Sequence, residues 1–170
     1  LREAGIPSRG VDSDAGMVAY CQQRGLEVSQ GDLFDFLAAE EDGTLGGTFS
    51  AQLIEHLPPH KLLELFRLSY QKLAPGGVLL AETINPMCLL ALASHYTIDL
   101  SHQQPVHPET AAFLAESVGF TDVQVRYGSP VPEPGRLQPL APPSDEGLEP
   151  WQQVLNENVR KLNDFLFTYQ

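Results

Sequence analysis

The sequence predicts an α/β fold, a doubly wound and mainly parallel sheet with helices on both faces. Three observations carry that expectation. Short apolar or alternating runs trade places with stretches of helical periodicity between Arg9 and Tyr127. Glycines and prolines fall where those helical stretches should stop, at Gly5, Gly25, Pro75-Gly76-Gly77 and Gly119. The run Val78-Leu79-Leu80-Ala81 is mostly apolar, as in a central parallel strand covered on both faces.

Leu1 to Ala4 reads as a helix tail closed by Gly5, and Pro7 leads into a strand through Arg9-Gly10-Val11-Asp12. Ser13 or Asp14 then caps a helix whose inner face carries Met17, Val18 and Cys21 before Gly25. Leu26-Glu27-Val28 is a second strand, and Gly31-Asp32 opens a brief helix with Leu33, Phe34, Phe36 and Leu37. After the glycine-rich segment 43–47, a third strand is expected over Thr48 to Ile54. Pro58 and Pro59 suit the opening of a helix, and Leu62, Leu63, Phe66, Tyr70 and Leu73 give it one buried stripe. Further helices are expected over Met87 to Ser94 and from Pro108 to Gly119, then a strand in which Val123, Val125 and Tyr127 alternate. Between Ser129 and Pro150 lie 7 of the 14 prolines, which marks an irregular excursion. Trp151, Val154, Leu155, Asn158, Leu162, Phe165 and Leu166 form the stripe of a last amphipathic helix. The expected organisation is one domain over 1–170, with a core over 1–128, the excursion over 129–150 and the helix over 151–170.

Bulk composition narrows the function. The 22 Asp and Glu outweigh the 10 Lys and Arg, for a formal net charge of -12, so no broad basic surface is available for phosphates and nucleic acid is not an expected partner. Cys21 and Cys88 have no partners at zinc-type spacing, and two such cysteines fit a reduced, cytoplasmic setting. No run approaches the length of an apolar membrane span. Gly-x-Ser-x-Gly, Walker and Cys-His nucleophile arrangements are missing from the sequence. His95, His102 and His107 are irregularly spaced around proline, so no metal site is expected from spacing.

An acid at the end of a strand can accept hydrogen bonds from ribose hydroxyls, and an acid at the end of the next strand can accept from an adenine amino group. Asp12 and Asp32 stand at those places, each also readable as a helix cap. Met17 could pack on an adenine, but its place on the apolar stripe reads more simply as core.

Gly10 to Asp14, Gly31-Asp32, Gln52-Leu53-Ile54-Glu55-His56-Leu57, Leu73 to Gly77 and Glu82-Thr83-Ile84-Asn85-Pro86, in this order, resemble a class I S-adenosylmethionine-dependent methyltransferase. The resemblance spans about Gly10 to Tyr127 and implies a Rossmann-like sheet with S-adenosylmethionine across its carboxyl edge. It implies cofactor contacts at Asp12, Ser13, Met17, Asp32, Leu33 and Gln52. His56 is then the expected proton acceptor, with a helix-start histidine bonded to local backbone as the alternative, and Glu55, Glu82, Asn85, Tyr96 and His102 are expected on the acceptor side. Bland readings stand beside these: Tyr96 packing, Glu82 bonding backbone, His102 and His107 shaping a loop or capping a helix.

The family's first strand with its glycine-rich loop and its last strand have no counterpart in the sequence, so the sheet is expected to be incomplete at both ends and the chain to be an internal piece of a longer enzyme. The expected activity is methyl transfer to oxygen or nitrogen of a small-molecule or sugar-like acceptor. Two other classes compete: a non-catalytic remnant or interaction module, and a nicotinamide-dependent oxidoreductase, which shares the ribose acid but has no place for Gly31-Asp32 and Ile54-Glu55-His56-Leu57.

Overall fold

The computed structural model describes residues 1–129, 132–142 and 147–167, excepting the side chains of Arg2 and Glu133. Its elements run β1 (Gly10–Asp12), α1 (Ala15–Gln23), β2 (Val28–Gln30), α2 (Leu33–Ala38), β3 (Leu45–Ala51), α3 (Pro59–Lys72), β4 (Leu73–Glu82), α4 (Leu89–Ser94), α5 (Pro108–Val118) and α6 (Pro150–Phe167). This is the expected α/β alternation. The strands are short and form two pairs, β1 with β2 and β3 with β4. The chain divides into two compact units, one of residues 1–49 and 63–80, the other of 50–62 and 81–170.

In the first unit β1 and β2 are parallel, with Gly10 opposite Val28 and Asp12 opposite Gln30. A Cβ on Gly10 would meet Val28 Cγ2 at 3.4 Å, an ordinary van der Waals contact, so the pairing of the two strands does not itself require glycine here. Asp14 caps α1 by accepting from the Met17 amide at 2.8 Å, and Val18 is the residue of that helix driven into the core. Lys72 ends α3 and is buried, yet its three donors are used: Nζ bonds the Ala38 carbonyl at 3.4 Å, the Glu40 carbonyl at 2.9 Å and Asp42 at 2.6 Å. An ammonium group thereby closes the carboxyl end of α2, where the helix leaves its carbonyls unpaired. Arg9 pairs with Glu40 beside it. Gly77 cannot be replaced without movement, since a Cβ would lie 2.9 Å from the Ala74 carbonyl oxygen and 3.1 Å from that of Leu45.

The second unit carries the core of Ile54, Leu57, Leu62, Cys88, Val106, Ala115 and Phe167. His107 caps α5 by accepting the Glu109 amide at 3.2 Å, and Pro108 follows in the first turn, where a missing N–H is harmless. Gly119 ends the helix with φ 116°, and the Phe120 amide returns to the Ala115 carbonyl at 3.2 Å, which is the left-handed glycine closure expected from sequence.

Several expectations are corrected. The third strand begins at Leu45 and ends at Ala51, because Gln52 turns to φ 48° and Ile54–His56 coil into a 3-10 turn. The second strand is displaced to Val28–Gln30, leaving Leu26 exposed. The apolar run of β4 is covered on one side only, with Val78 and Leu80 exposed. The buried stripe of α3 passes through Leu62, Leu65, Phe66 and Ser69, and Tyr70 lies outside it. Val123, Val125 and Tyr127 form no strand, as no neighbour offers them a ladder among the described residues.

The last helix is present, but its phase is the reverse of the one its hydropathy suggests. Trp151, Val154, Leu155, Leu162 and Phe165 are exposed. Its amides face the chain instead: Asn156 exchanges two bonds with the Leu140 backbone at 2.7 and 2.9 Å, and Asn163 does the same with Leu137 at 2.9 and 2.8 Å. Parts of the expected excursion, residues 130, 131 and 143–146, and the chain end at 168–170 lie outside the described residues.

Candidate functional site

The first unit presents its acids at the carboxyl ends of β1 and β2. Asp12 is exposed at the end of β1, and its Oδ1 accepts the Asp14 amide at 2.8 Å, which shapes the turn into α1. Asp14 is the cap, so Asp12 is not needed for that purpose. The Ser13 carbonyl is fixed by Gln30 Nε2 at 3.2 Å, tying the two strand ends together. Asp32 does cap α2: its Oδ1 accepts from Phe34 at 2.7 Å and Asp35 at 3.2 Å, and Leu33 is half-buried beside it. The cap reading of Asp32 is therefore realised on one oxygen. Met17 is half-exposed and outside the core, contrary to the reading from its stripe, because Val18 takes the inward phase of α1.

The second unit gathers a polar cluster around the turn that follows β3. Gln52 adopts a left-handed backbone, rare for a residue with a side chain, and its amide bonds the Glu82 carbonyl at 2.8 Å. The turn Ile54–His56 puts Glu55 entirely inside, at 0% exposure. Neither carboxylate oxygen of Glu55 has a hydrogen-bond partner among the described residues. Its backbone carbonyl, by contrast, accepts from the Gln103 amide at 2.8 Å and the Gln104 amide at 3.4 Å. Those two bonds dock the segment after His102 onto the turn.

His102 and His56 meet there with ring centroids 4.5 Å apart. His102 also stacks on Tyr96 at 4.5 Å, and its Nδ1 lies 2.6 Å from the Tyr96 carbonyl. A carbonyl only accepts, so Nδ1 carries the proton and Nε2 keeps a lone pair. His56 reaches the same tautomer by another route. Ser101 donates its single hydroxyl proton to Asp99 Oδ1 at 2.6 Å, and so can only accept from His56 Nδ1, 3.0 Å away. The Ser101 hydroxyl and amide, both donated to it, hold the Asp99 carboxyl below its usual range. Burial, and then the charge of Glu55, push the Tyr96 phenol up, so it stays protonated at neutral pH.

Sequence reasoning chose Glu55, His56, Tyr96 and His102 separately, and the structure brings these four together. It missed Asp99 and Ser101, whose Asp-x-Ser spacing is the one local sign of a turn that could orient a neighbour. Glu82 ends β4 exposed, and Asn85 uses Oδ1 on the Met87 amide at 3.0 Å to shape the following turn. His95 bonds Ser94 and His107 caps α5, so His102 finds its imidazole partner in His56 and in neither of the histidines nearest in sequence.

The parallel strands β1 and β2, alternating with helices and carrying acids at their carboxyl ends, place the chain among α/β proteins whose ligands bind at the carboxyl edge of the sheet. The comparisons make this specific. The chain is similar to the crystal structure of a SAM-dependent methyltransferase from Archaeoglobus fulgidus, with 36% identity and a TM-score of 0.86, over 99% of this chain and 75% of that one. It also matches a SAM-dependent methyltransferase from Thermotoga maritima, described as a possible histamine N-methyltransferase, at 14% identity and TM-score 0.57, over 71% and 68% of the two chains; that likeness is one of fold. No protein-family model and no curated protein matches. The chain belongs to the SAM-dependent methyltransferases, enzymes whose cofactor is S-adenosylmethionine. No described helix is long and apolar enough to cross a membrane.

Proposed function

We propose that this methyltransferase acts on an oxygen or nitrogen of a small-molecule or saccharide acceptor in the cytoplasm, with His56 as the group that takes the acceptor's proton. The observation that carries this reading is the Asp99–Ser101–His56 chain, which fixes the imidazole with Nδ1 protonated and Nε2 open. S-adenosylmethionine supplies a methyl group already activated by its sulfonium, so the protein's work is to position the acceptor and remove a proton. A neutral imidazole is suited to that removal near neutral pH.

The residues of the first unit fit the nucleoside part of the cofactor. Asp12 stands exposed at a strand end with one oxygen used, as a ribose partner requires, and Ser13 follows it in the same turn. Asp32 caps α2 through Oδ1, leaving Oδ2 for an adenine amino group, while Leu33 and the half-exposed Met17 offer apolar surface. In the second unit Gln52, held at φ 48°, is assigned to the methionine portion, and Glu55, Glu82, Asn85, Tyr96 and His102 to the acceptor side.

The test is transfer of labelled methyl from S-adenosylmethionine to panels of alcohols, amines and sugars. His56→Ala is expected to lower kcat by about 10²–10⁴-fold with little change in cofactor affinity. Unchanged turnover in that variant removes the assigned role, and no transfer to any oxygen or nitrogen acceptor removes the proposed acceptor class.

A further inference from the structure

We infer that Glu55, His56 and His102 bind one divalent transition-metal ion of the zinc class, with coordination positions left open to an oxygen ligand. One donor atom from each residue lies within 4.8 Å of those of the other two. Rotation of the side chains needs to close such gaps only to about 3.3 Å for tetrahedral ligation at 2.0–2.1 Å.

Two independent features point to a cation. Glu55 is wholly buried and neither of its oxygens has a partner among the described residues. A carboxylate taken out of water in this way calls for a hydrogen-bond donor or a cation. Both imidazoles are held in the tautomer a metal needs, with Nδ1–H donated and the Nε2 lone pair without a partner among the described residues. Metal-bound histidines ordinarily give their second nitrogen to a carbonyl, a carboxylate or a group of that kind, and here the Tyr96 carbonyl and the Ser101–Asp99 pair fill that part. The donor set of two nitrogens and one carboxylate suits zinc and its neighbours rather than magnesium or calcium, which take oxygen.

Three protein ligands leave room for water or for an oxygen of the acceptor. This part of the inference rests on the methyl-transfer reading above. A lone pair serves one partner at a time, so the proton-accepting role proposed above for His56 belongs to the metal-free protein, and in the loaded protein His56 is a ligand. Proton loss from a hydroxyl acceptor, with the proton passing to solvent, is then promoted by the ion rather than by imidazole.

The direct test is calorimetric titration of Zn²⁺ into the chelator-treated full chain, with Co²⁺ visible spectra to report inner-sphere imidazole ligation. One equivalent is expected, with affinity about 100-fold weaker in Glu55→Gln and in His102→Ala. Magnesium is expected to compete poorly. His102→Gln serves if His102→Ala does not fold, as judged by circular dichroism. No Zn²⁺ uptake by the wild type overturns the site, and equal uptake by the Glu55 and His102 variants overturns it as adventitious binding. S-adenosylmethionine titrated into the metal-free and Zn²⁺-loaded chain separates the two readings: cofactor binding without metal uptake sinks only the metal site, whereas metal uptake without methyl transfer to any oxygen or nitrogen acceptor sinks only the acceptor reading.

Discussion

The strand-end acids of the first unit and the polar cluster of the second handle charge in opposite ways. Asp12 and Asp32 are exposed and each satisfies a local turn or cap with one oxygen. Glu55 is buried with both oxygens unanswered among the described residues, while the residues around it are tightly bonded to one another. An acid of the first kind contributes to stability and keeps an oxygen for a ligand. One of the second kind costs stability until something binds, which marks it as functional more strongly than its position in a motif does.

The largest effect that could break this contrast is on cofactor binding. Asp12→Ala is expected to weaken S-adenosylmethionine by about 100-fold, roughly 2.7 kcal/mol, with a small change in Tm; calorimetry and thermal melts read the two quantities separately. A large fall in Tm with unchanged affinity would make Asp12 a turn residue only. Glu55→Met is the complementary experiment. Replacing the unanswered carboxylate by an apolar side chain of similar length should stabilise the metal-free protein by about 1–3 kcal/mol in denaturant melts, while abolishing methyl transfer.

Asp32 sharpens the comparison, since it combines a structural and a ligand role. Asp32→Ala should lose about 1 kcal/mol of cap stability, whereas Asp32→Asn keeps the cap and reports the cofactor contribution alone. Asn163→Ala should cost about 1 kcal/mol and speed proteolysis in the proline-rich segment, measured by a digestion time course. Smallest is the pH effect at Asp42, whose carboxyl is held below its usual range by the Gln71 side chain and then by Lys72. A carboxyl lowered on folding stabilises above its unfolded pKa, about 3.9, and loses that contribution as pH falls through its lower folded value. The Tm advantage over Asp42→Asn should therefore be steady at neutral pH and shrink below about pH 4.

Caps and closures were the most legible part of the sequence. Asp14, Asp32, Pro108 and Gly119 act through neighbours one to five residues away, so their types alone signal their function. Strand limits were less legible, because Leu45 to Gly47 look like a flexible glycine segment until β4 pairs with them. The cluster was legible only residue by residue. His56 and His102 are 46 positions apart, and the two bonds that dock one segment on the other run through the Glu55 main chain, which carries no side-chain signature. The phase of α6 misled for a related reason: hydropathy counts Asn156 and Asn163 as outward residues, but an amide that meets both groups of a peptide unit can face inward.

That amide clasp sets an unusual rule for which sequences the proline-rich segment tolerates. Asn156 and Asn163 read only the N–H and C=O of residues 140 and 137, so the register of the segment does not depend on which side chains those two positions carry. Proline is the exception, because it has no N–H to give. The segment already observes that rule: Pro134, Pro139 and Pro142 flank the two clasped positions and occupy neither. Side chains there can drift while the grip persists, and a single proline at 137 or 140 would undo one clasp without disturbing the helix that makes it.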